Sequence, residues 1–317
     1  RGRGNAFLAD LANCNALIQV VDAAGSTDLE GNPQGHNQTT EVARARVIEE
    51  IEFLGLELDA WIAGLLMDGW VRGVRRVQAE GDKGLVSFIH ERLTGLGATL
   101  QSVGLAHEAF RSQHTTLGSP WDWDLSIIAS LAVHLRKALF PIHIAANKFD
   151  VAPPEVLDGV VANGCIIPCM ADVELGLRRA AGADLIEYTP GSTTFSFSDS
   201  TALNEAQLKA LDHMKERLET NAGTGVATML DTVLFDELEH IVVYPVQDEN
   251  RWTDGDGKLL PDAFVVPAAI QAKALAYKVH SDLGDGFIRG VDGRSRRVVG
   301  AEHELQDGDV LKIHAKS

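Results

Sequence analysis

Hydrophobic spacing divides the chain into stretches of different period. Residues 14–25 (CNALIQVVDAAG) have the apolar density of a buried parallel strand that ends at Asp22 and a glycine turn. Residues 26–40 are polar and turn-rich. From Glu41 to about Thr116 the spacing becomes helical. Ile51, Leu54, Leu58, Trp61, Ile62 and Leu65 fall on one face, and 85–93 and 101–113 repeat the texture between glycine breaks. A helix opened by Ser119-Pro120 fills 119–140. Pro141 then starts a strand, 142–146, that delivers Asn-Lys-Phe-Asp at its carboxyl end. A short strand at 165–168 precedes helices at 171–181, 203–220 and 226–239. This alternation predicts an α/β fold with a doubly wound parallel sheet, whose ligands bind outside the strand carboxyl ends. The tail, 239–317, has a strand (HIVVYPVQ), a turn-rich stretch (DENRWTDGDGKLLPDAFVVP), one helix near 269–282 and short strands (FIRGV, RRVVG, VLKIHA), which predicts a separate β-grasp layer.

At 317 residues and 45% hydrophobic, the chain is long enough for two or three domains with their own cores. No apolar stretch approaches the roughly 20 residues of a membrane span. RGRGNAFLAD lacks the apolar region of a signal peptide, so a cytoplasmic protein without a membrane partner is expected. The net charge of -17 argues against nonspecific nucleic-acid affinity of the whole surface, though not against a local basic patch. It also suits a salt-rich cytoplasm, in which case stability should rise between low and molar salt. Cys14, Cys165 and Cys169 cannot make a disulfide framework. Cys165 and Cys169 read either as two packed thiols or as part of a zinc site whose other ligands are not nearby; no metal ligands are assigned.

The chemistry concentrates at Asn147, Lys148 and Asp150. A carboxylate can accept two hydrogen bonds from the N1–H and 2-amino edge of guanine, an edge adenine does not offer. The lysine stem can lie across the base plane, and the asparagine can tie the loop to neighbouring backbone. Such pairing discriminates strongly because the wrong base leaves buried groups unpaired. The alternative is a plain strand-to-loop turn in which Asp150 caps the next segment. On the following strand, backbone N–H groups around Met170 and Ala171 are candidates to meet the guanine carbonyl oxygen. A phosphate loop of the form G-x-x-x-x-G-K-[ST] is missing: Gly257-Lys258 is followed by Leu259, and NAGTGVAT (221–228) lacks the lysine and reads as a helix connection.

With these stretches in hand, the chain resembles the YchF (Obg-like ATPase) family of P-loop NTPases, closest to its archaeal branch. The matching stretches include ALIQVVDAAGSTDLEGN, PIHIAANKFD, PCMADVELGLRRA, IEYTPGS, LPDAFVVP and ALAYKVHSDLGDGFIRGVDGRSRRVVGAEHELQDGDVLKI. The resemblance implies a partial nucleotide-binding domain (1–40 and 117–238), a helical, coiled-coil-like insertion (41–116) and a C-terminal TGS domain of β-grasp fold (239–317). It implies binding and hydrolysis of purine nucleoside triphosphates and association with ribosomes. Some members with an altered loop prefer ATP; the intact Asn147, Lys148 and Asp150 favour GTP over ATP. Met170-Ala171 departs from the usual Ser-Ala.

RGRGNAFLADL (1–11) resembles the end of a second switch region, so the strands, phosphate loop and switches expected before it are missing. Mg²⁺ is expected only with that segment, no catalytic residue is assigned, and the chain alone is expected to be inactive. Two or three base hydrogen bonds of about 0.5–3 kcal/mol cannot offset association costs of about 4–15 kcal/mol without a grip on phosphate. The strand at 16–22 should then present an unpaired edge and either limit solubility or rely on a partner segment. The competing reading is a nucleotide-independent RNA- or ribosome-binding module in the tail. There Arg289, Arg294, Arg296 and Arg297 surround one hairpin, either to contact phosphates or to neutralise Asp285 and Asp292 in a solvated turn. In the insertion, Trp61 and Trp70 either dock a protein partner or pack helix on helix.

Overall fold

The computed structural model describes residues 11, 14–34, 39–114, 116–157, 160, 166–198 and 203–316. They fall into two compact units, Arg1–Met229 and Leu230–Ser317. The first is built on three parallel strands in spatial order β1 (Leu17–Asp22), β2 (Ile142–Asn147) and β3 (Ile166–Pro168). The register pairs Asp22 with Asn147 and Ala146 with Pro168, so three chain exits lie side by side at one end of the sheet. Among the described residues β1 is an edge strand, with Val21 buried but Ile18 and Val20 exposed.

Between β1 and β2 run α1 (Thr40–Met67), α2 (Trp70–Arg76), α3 (Gly81–Leu93), α4 (Leu100–Gln113) and α5 (Leu125–Leu139). Their starts are set locally: Thr39 caps α1, a Thr99–Ser102 capping box opens α4, and Asp124 caps α5. The predicted face of α1 is buried or half-buried: Leu58 and Ile62 sit in the core, with Leu54, Trp61 and Leu65 packed against it, while Ile51 packs on the sheet beside Val21 and Ile144. The insertion does not have a core of its own. Leu131 and Leu135 of α5 share one cluster with Leu58, Phe88 and Phe110, and a half-buried ion pair, Arg136 Nε to Asp59 Oδ1 at 3.0 Å, ties α5 to α1.

After β3 come α6 (Ala171–Gly182), the small hairpin β4 (Ile186–Glu187) and β5 (Ser196–Phe197), α7 (Glu205–Asn221) and α8 (Val226–Asp231). The second unit begins within α8 at Leu230, nine residues earlier than position 239, and the chain then winds as a π-helix over Thr232–Glu237. This unit contains β6 (His240–Val246), β7 (Phe264–Pro267), α9 (Ala272–Val279), α10 (Ser281–Asp285), β8 (Phe287–Asp292), β9 (Val298–Val299) and β10 (Val310–Ala315). Its sheet order is β7-β6-β10-β8-β9, with β10 parallel to β6 and antiparallel to β8. Ala272 and Leu275 of α9 pack with Val243, Val266 and Leu311 of the sheet, which is the β-grasp arrangement.

Candidate nucleotide site

Asp22 ends β1 and organises the turn that follows. Its carboxylate accepts hydrogen bonds from the Ala24 and Ser26 N–H groups and from the hydroxyls of Ser26 (2.6 Å) and Thr27 (3.0 Å). The turn closes at Gly25, whose φ of +57° favours glycine; a β-carbon there would meet the Ala43 carbonyl oxygen at 2.7 Å. Across the strand pair, Lys148 takes the left-handed conformation (φ 60°) and sends its Nζ to Asp22 Oδ2 at 2.9 Å and to Ser26 Oγ at 3.1 Å. Burial opposes the Asp22 charge, but hydrogen bonds from Ser26, Lys148 and Thr27 outweigh it and hold the carboxyl below its ordinary value. From α1, Glu50 Oε2 accepts the Asp22 N–H at 3.0 Å; burial, together with the charge of Asp22, raises the Glu50 carboxyl.

The loop after β3 meets the loop after β2 directly. Ala171 N–H donates to Asn147 Oδ1 (3.0 Å) and Phe149 N–H to the Cys169 carbonyl (3.1 Å). Asn147 therefore ties the loops together, as its residue type suggests. The amides of Met170 and Ala171 are both engaged, however, because Met170 N–H donates to the Thr224 carbonyl at 2.8 Å. In this geometry they are not available to a base carbonyl. The amides that α6 leaves without an intrahelical acceptor after Ala171 are those of Asp172 and Val173.

Sequence reasoning missed the brace behind this second loop. Glu174 is buried and accepts from Arg178 Nε (2.6 Å), the Tyr188 hydroxyl (2.8 Å) and the Thr224 hydroxyl (2.6 Å). Burial opposes its charge, yet the donors from Thr224, Arg178 and Tyr188 hold it below its ordinary value. Burial and the hydrogen bond to Glu174 push the Tyr188 phenol up to about 12. Thr224 is thus held by Glu174 while its carbonyl holds Met170. The adjacent Gly225 (φ +76°) packs so closely that a β-carbon would fall 1.8 Å from the Pro168 carbonyl oxygen. The segment 221–228 is a helix connection, as its composition suggests, but one that supports the candidate site. Its glycines were the one legible hint of a close backbone approach.

Asp150 lies half-exposed in the loop closed by Val151 N–H to the Lys148 carbonyl at 3.1 Å. It does not cap the next segment: the turn Pro154–Val156 is preceded by Pro153 and has no side-chain cap. Among the described residues no donor takes the Asp150 carboxylate. Burial pushes the neighbouring Cys169 thiol up to about 11, so it packs as a thiol; Cys165 lies outside the described residues, as does RGRGNAFLAD. Among the described residues no three His, Cys, Asp or Glu side chains converge as a metal site, and no helix is long and apolar enough to cross a membrane.

Two alternatives are corrected by the packing. The carboxylates of Asp285 and Asp292 do not neutralise the arginine side chains: Asp285 accepts from the Tyr277 hydroxyl, and Asp292 binds the Arg294 and Ser295 N–H groups of its own turn and the Ser295 hydroxyl. Arg296 bonds Asn250, while Arg289, Arg294 and Arg297 are exposed and have no carboxylate partner among the described residues. The tryptophans pack inward. Trp70 is 3% exposed, donates to the Pro120 carbonyl and stacks on Trp123 at 5.8 Å, and the half-buried Trp61 packs against the same core, so both take part in helix-on-helix packing.

Comparison with known proteins places the chain among GTP-binding relatives. A family model described as "Obg-like GTPase YGR210-like, G4 motif-containing domain" matches residues 145–248, and a TGS domain model matches 257–315. A GTP-binding protein of Methanocaldococcus jannaschii is 38% identical over 317 residues, spanning 99% of this chain and 76% of its own length. A GTP-binding protein of Schizosaccharomyces pombe is 26% identical over 325 residues, spanning 98% and 73%. The crystal structure of a GTP binding protein from Pyrococcus horikoshii superimposes with a TM-score of 0.65 at 35% identity, covering 98% of this chain and 81% of that one.

Proposed function

The chain belongs to the YchF/Obg-like family of GTP-binding proteins with a TGS domain, and from that premise we propose that Asn147, Lys148 and Asp150 select guanine in a nucleotide-dependent switch. The observation that carries the reading is the Asp150 carboxylate, half-exposed and without a donor among the described residues, in a loop where Asn147, Lys148 and the Phe149 and Val151 amides are each hydrogen-bonded. Asn147 locks the two loops together, and Asp22 anchors the lysine head, which leaves its stem to lie against a base. The carboxylate then supplies the two acceptors that the guanine N1–H and amino group require. The Met170–Ala171 loop contributes shape through its braced backbone rather than free amides. No residue is assigned to Mg²⁺, and no step runs through it.

The test is base choice in the intact protein. Asp150→Asn should weaken GTP binding about 100-fold and improve binding of xanthosine triphosphate, whose 2-oxo group suits an amide donor. GTP affinity within twofold of wild type in Asp150→Asn would sink the assignment.

A second reading has its own observation in Arg289, Arg294 and Arg297, exposed and without a carboxylate partner among the described residues. We infer that the TGS hairpin contacts RNA phosphates, as on a ribosome. RNA affinity unchanged after replacing these with Arg296 by alanine would dispose of it.

A further inference from the structure

The helical part of the first unit contains a cleft of about 510 Å³ lined by Arg72, Gly73, Arg76, Phe88, Glu91 and Arg92, with Gly69 at its edge. Three guanidiniums line it with one carboxylate, Glu91, and Asp68 pairs with Arg92 beside it, which leaves a local excess of positive charge in a chain whose net charge is -17. Two of the three converge on one point: a β-carbon placed on Gly69 would lie 2.9 Å from Arg92 Nη2 and 3.9 Å from Arg72 Nη2. Gly69 (φ +68°) has no side chain to fill that space, and Gly73 likewise leaves room for the Phe88 ring.

The arginines are held to different degrees. Arg92 is preordered: it bonds the Asp68 carbonyl and carboxylate, and its guanidinium lies over the Phe88 ring at 5.6 Å. Arg76 pairs with Glu91 at 2.9 Å, but both side chains are more than half exposed, so the pair is weak and easily exchanged for a stronger anion. Arg72 is exposed and has no partner among the described residues. One fixed fork, one loosely paired fork and one free fork around a ligand-sized hollow suit a phosphate group, whose oxygens accept paired N–H donors.

We propose that this cleft binds a phosphoryl group, carried by a polyphosphate or by the backbone of single-stranded RNA. The site is independent of the base-reading loops and does not rest on their assignment. Arg72→Ala tests it, because Arg72 supports nothing else in the fold, with an unchanged melting midpoint as control. Two probes distinguish the sources: inorganic tripolyphosphate by calorimetry, and a labelled 12-nucleotide RNA by fluorescence anisotropy, both at low salt.

Arg72→Ala is expected to weaken one probe or both about tenfold, and Arg72→Lys, which keeps charge but loses the fork, to fall between. Loss for tripolyphosphate identifies a free polyphosphate; loss for the RNA alone identifies a phosphodiester backbone. Affinities unchanged by Arg72→Ala, or no binding of either probe to wild type, would overturn the site. Asp150→Asn should leave the Arg72-dependent binding intact, which separates failure here from failure of the guanine assignment.

Discussion

The loops after β1 and β3 are both organised by a carboxylate whose side chain is only 6% exposed, yet the two acids work over different distances along the chain. Asp22 gathers donors mainly from its own turn, Ala24, Ser26 and Thr27, and reaches across the sheet only to Lys148. Glu174 gathers Arg178 one helical turn away, Tyr188 beyond the next strand and Thr224 from between α7 and α8. Equal burial therefore supports unequal structures, a local turn in one case and a knot of separate segments in the other. A fault at Asp22 should stay near its turn, whereas a fault at Glu174 should release three segments together.

The sharpest way to break the knot is through its backbone. Gly225→Ala places a methyl against the Pro168 carbonyl at a left-handed φ and should cost at least about 3 kcal/mol. Urea unfolding followed by tryptophan fluorescence would show it as a lower midpoint; a midpoint equal to wild type would mean that this link does not brace β3.

Glu174→Gln keeps the shape but removes the charge shared by three donors, for about 2–3 kcal/mol at pH 7. The sign follows from its depressed pKa. The stabilisation is fully present above the ordinary value of 4.5 and is lost as pH falls through the lower folded value. The variant should thus approach wild type in acid, and a stability gap independent of pH would contradict the charge argument.

Asp22→Asn should cost less, about 1–2 kcal/mol, because an amide oxygen can still close part of the turn. Hydrogen exchange should quicken at residues 22–27 and around Lys148 but not at Met170. Equal quickening at both loops would erase the distinction between local turn and distributed knot.

Glu50→Gln should have the smallest effect and the opposite sign. Its pKa is raised, so the favourable contribution present below 4.5 is lost as pH rises through the folded value. At pH 7 the neutral amide removes a burial cost while still accepting from Asp22 N–H. A gain of less than about 1 kcal/mol is expected, read as a higher melting midpoint; a lower one would show that the Glu50 charge is needed by Lys148.

What the sequence determined by itself was everything carried by local period and residue type. Apolar density placed β1 and β2, helical spacing placed the buried face of α1, and a polar tetrapeptide after a strand placed Asn147, Lys148 and Asp150 at the sheet end. The β-grasp tail was legible in most of its strands, but β7 forms at the end of a turn-rich stretch, and the helix expected near 269–282 divides into α9 and α10. Only the tertiary structure decided that Met170 and Ala171 have no free amides, that Glu50 touches Asp22, that Thr224 joins Glu174, and that Arg72 and Arg92 converge beside Gly69. Hydrogen bonds and charge pairs between segments tens of residues apart have no period to detect. They exist because strand register and helix packing first bring those segments within reach.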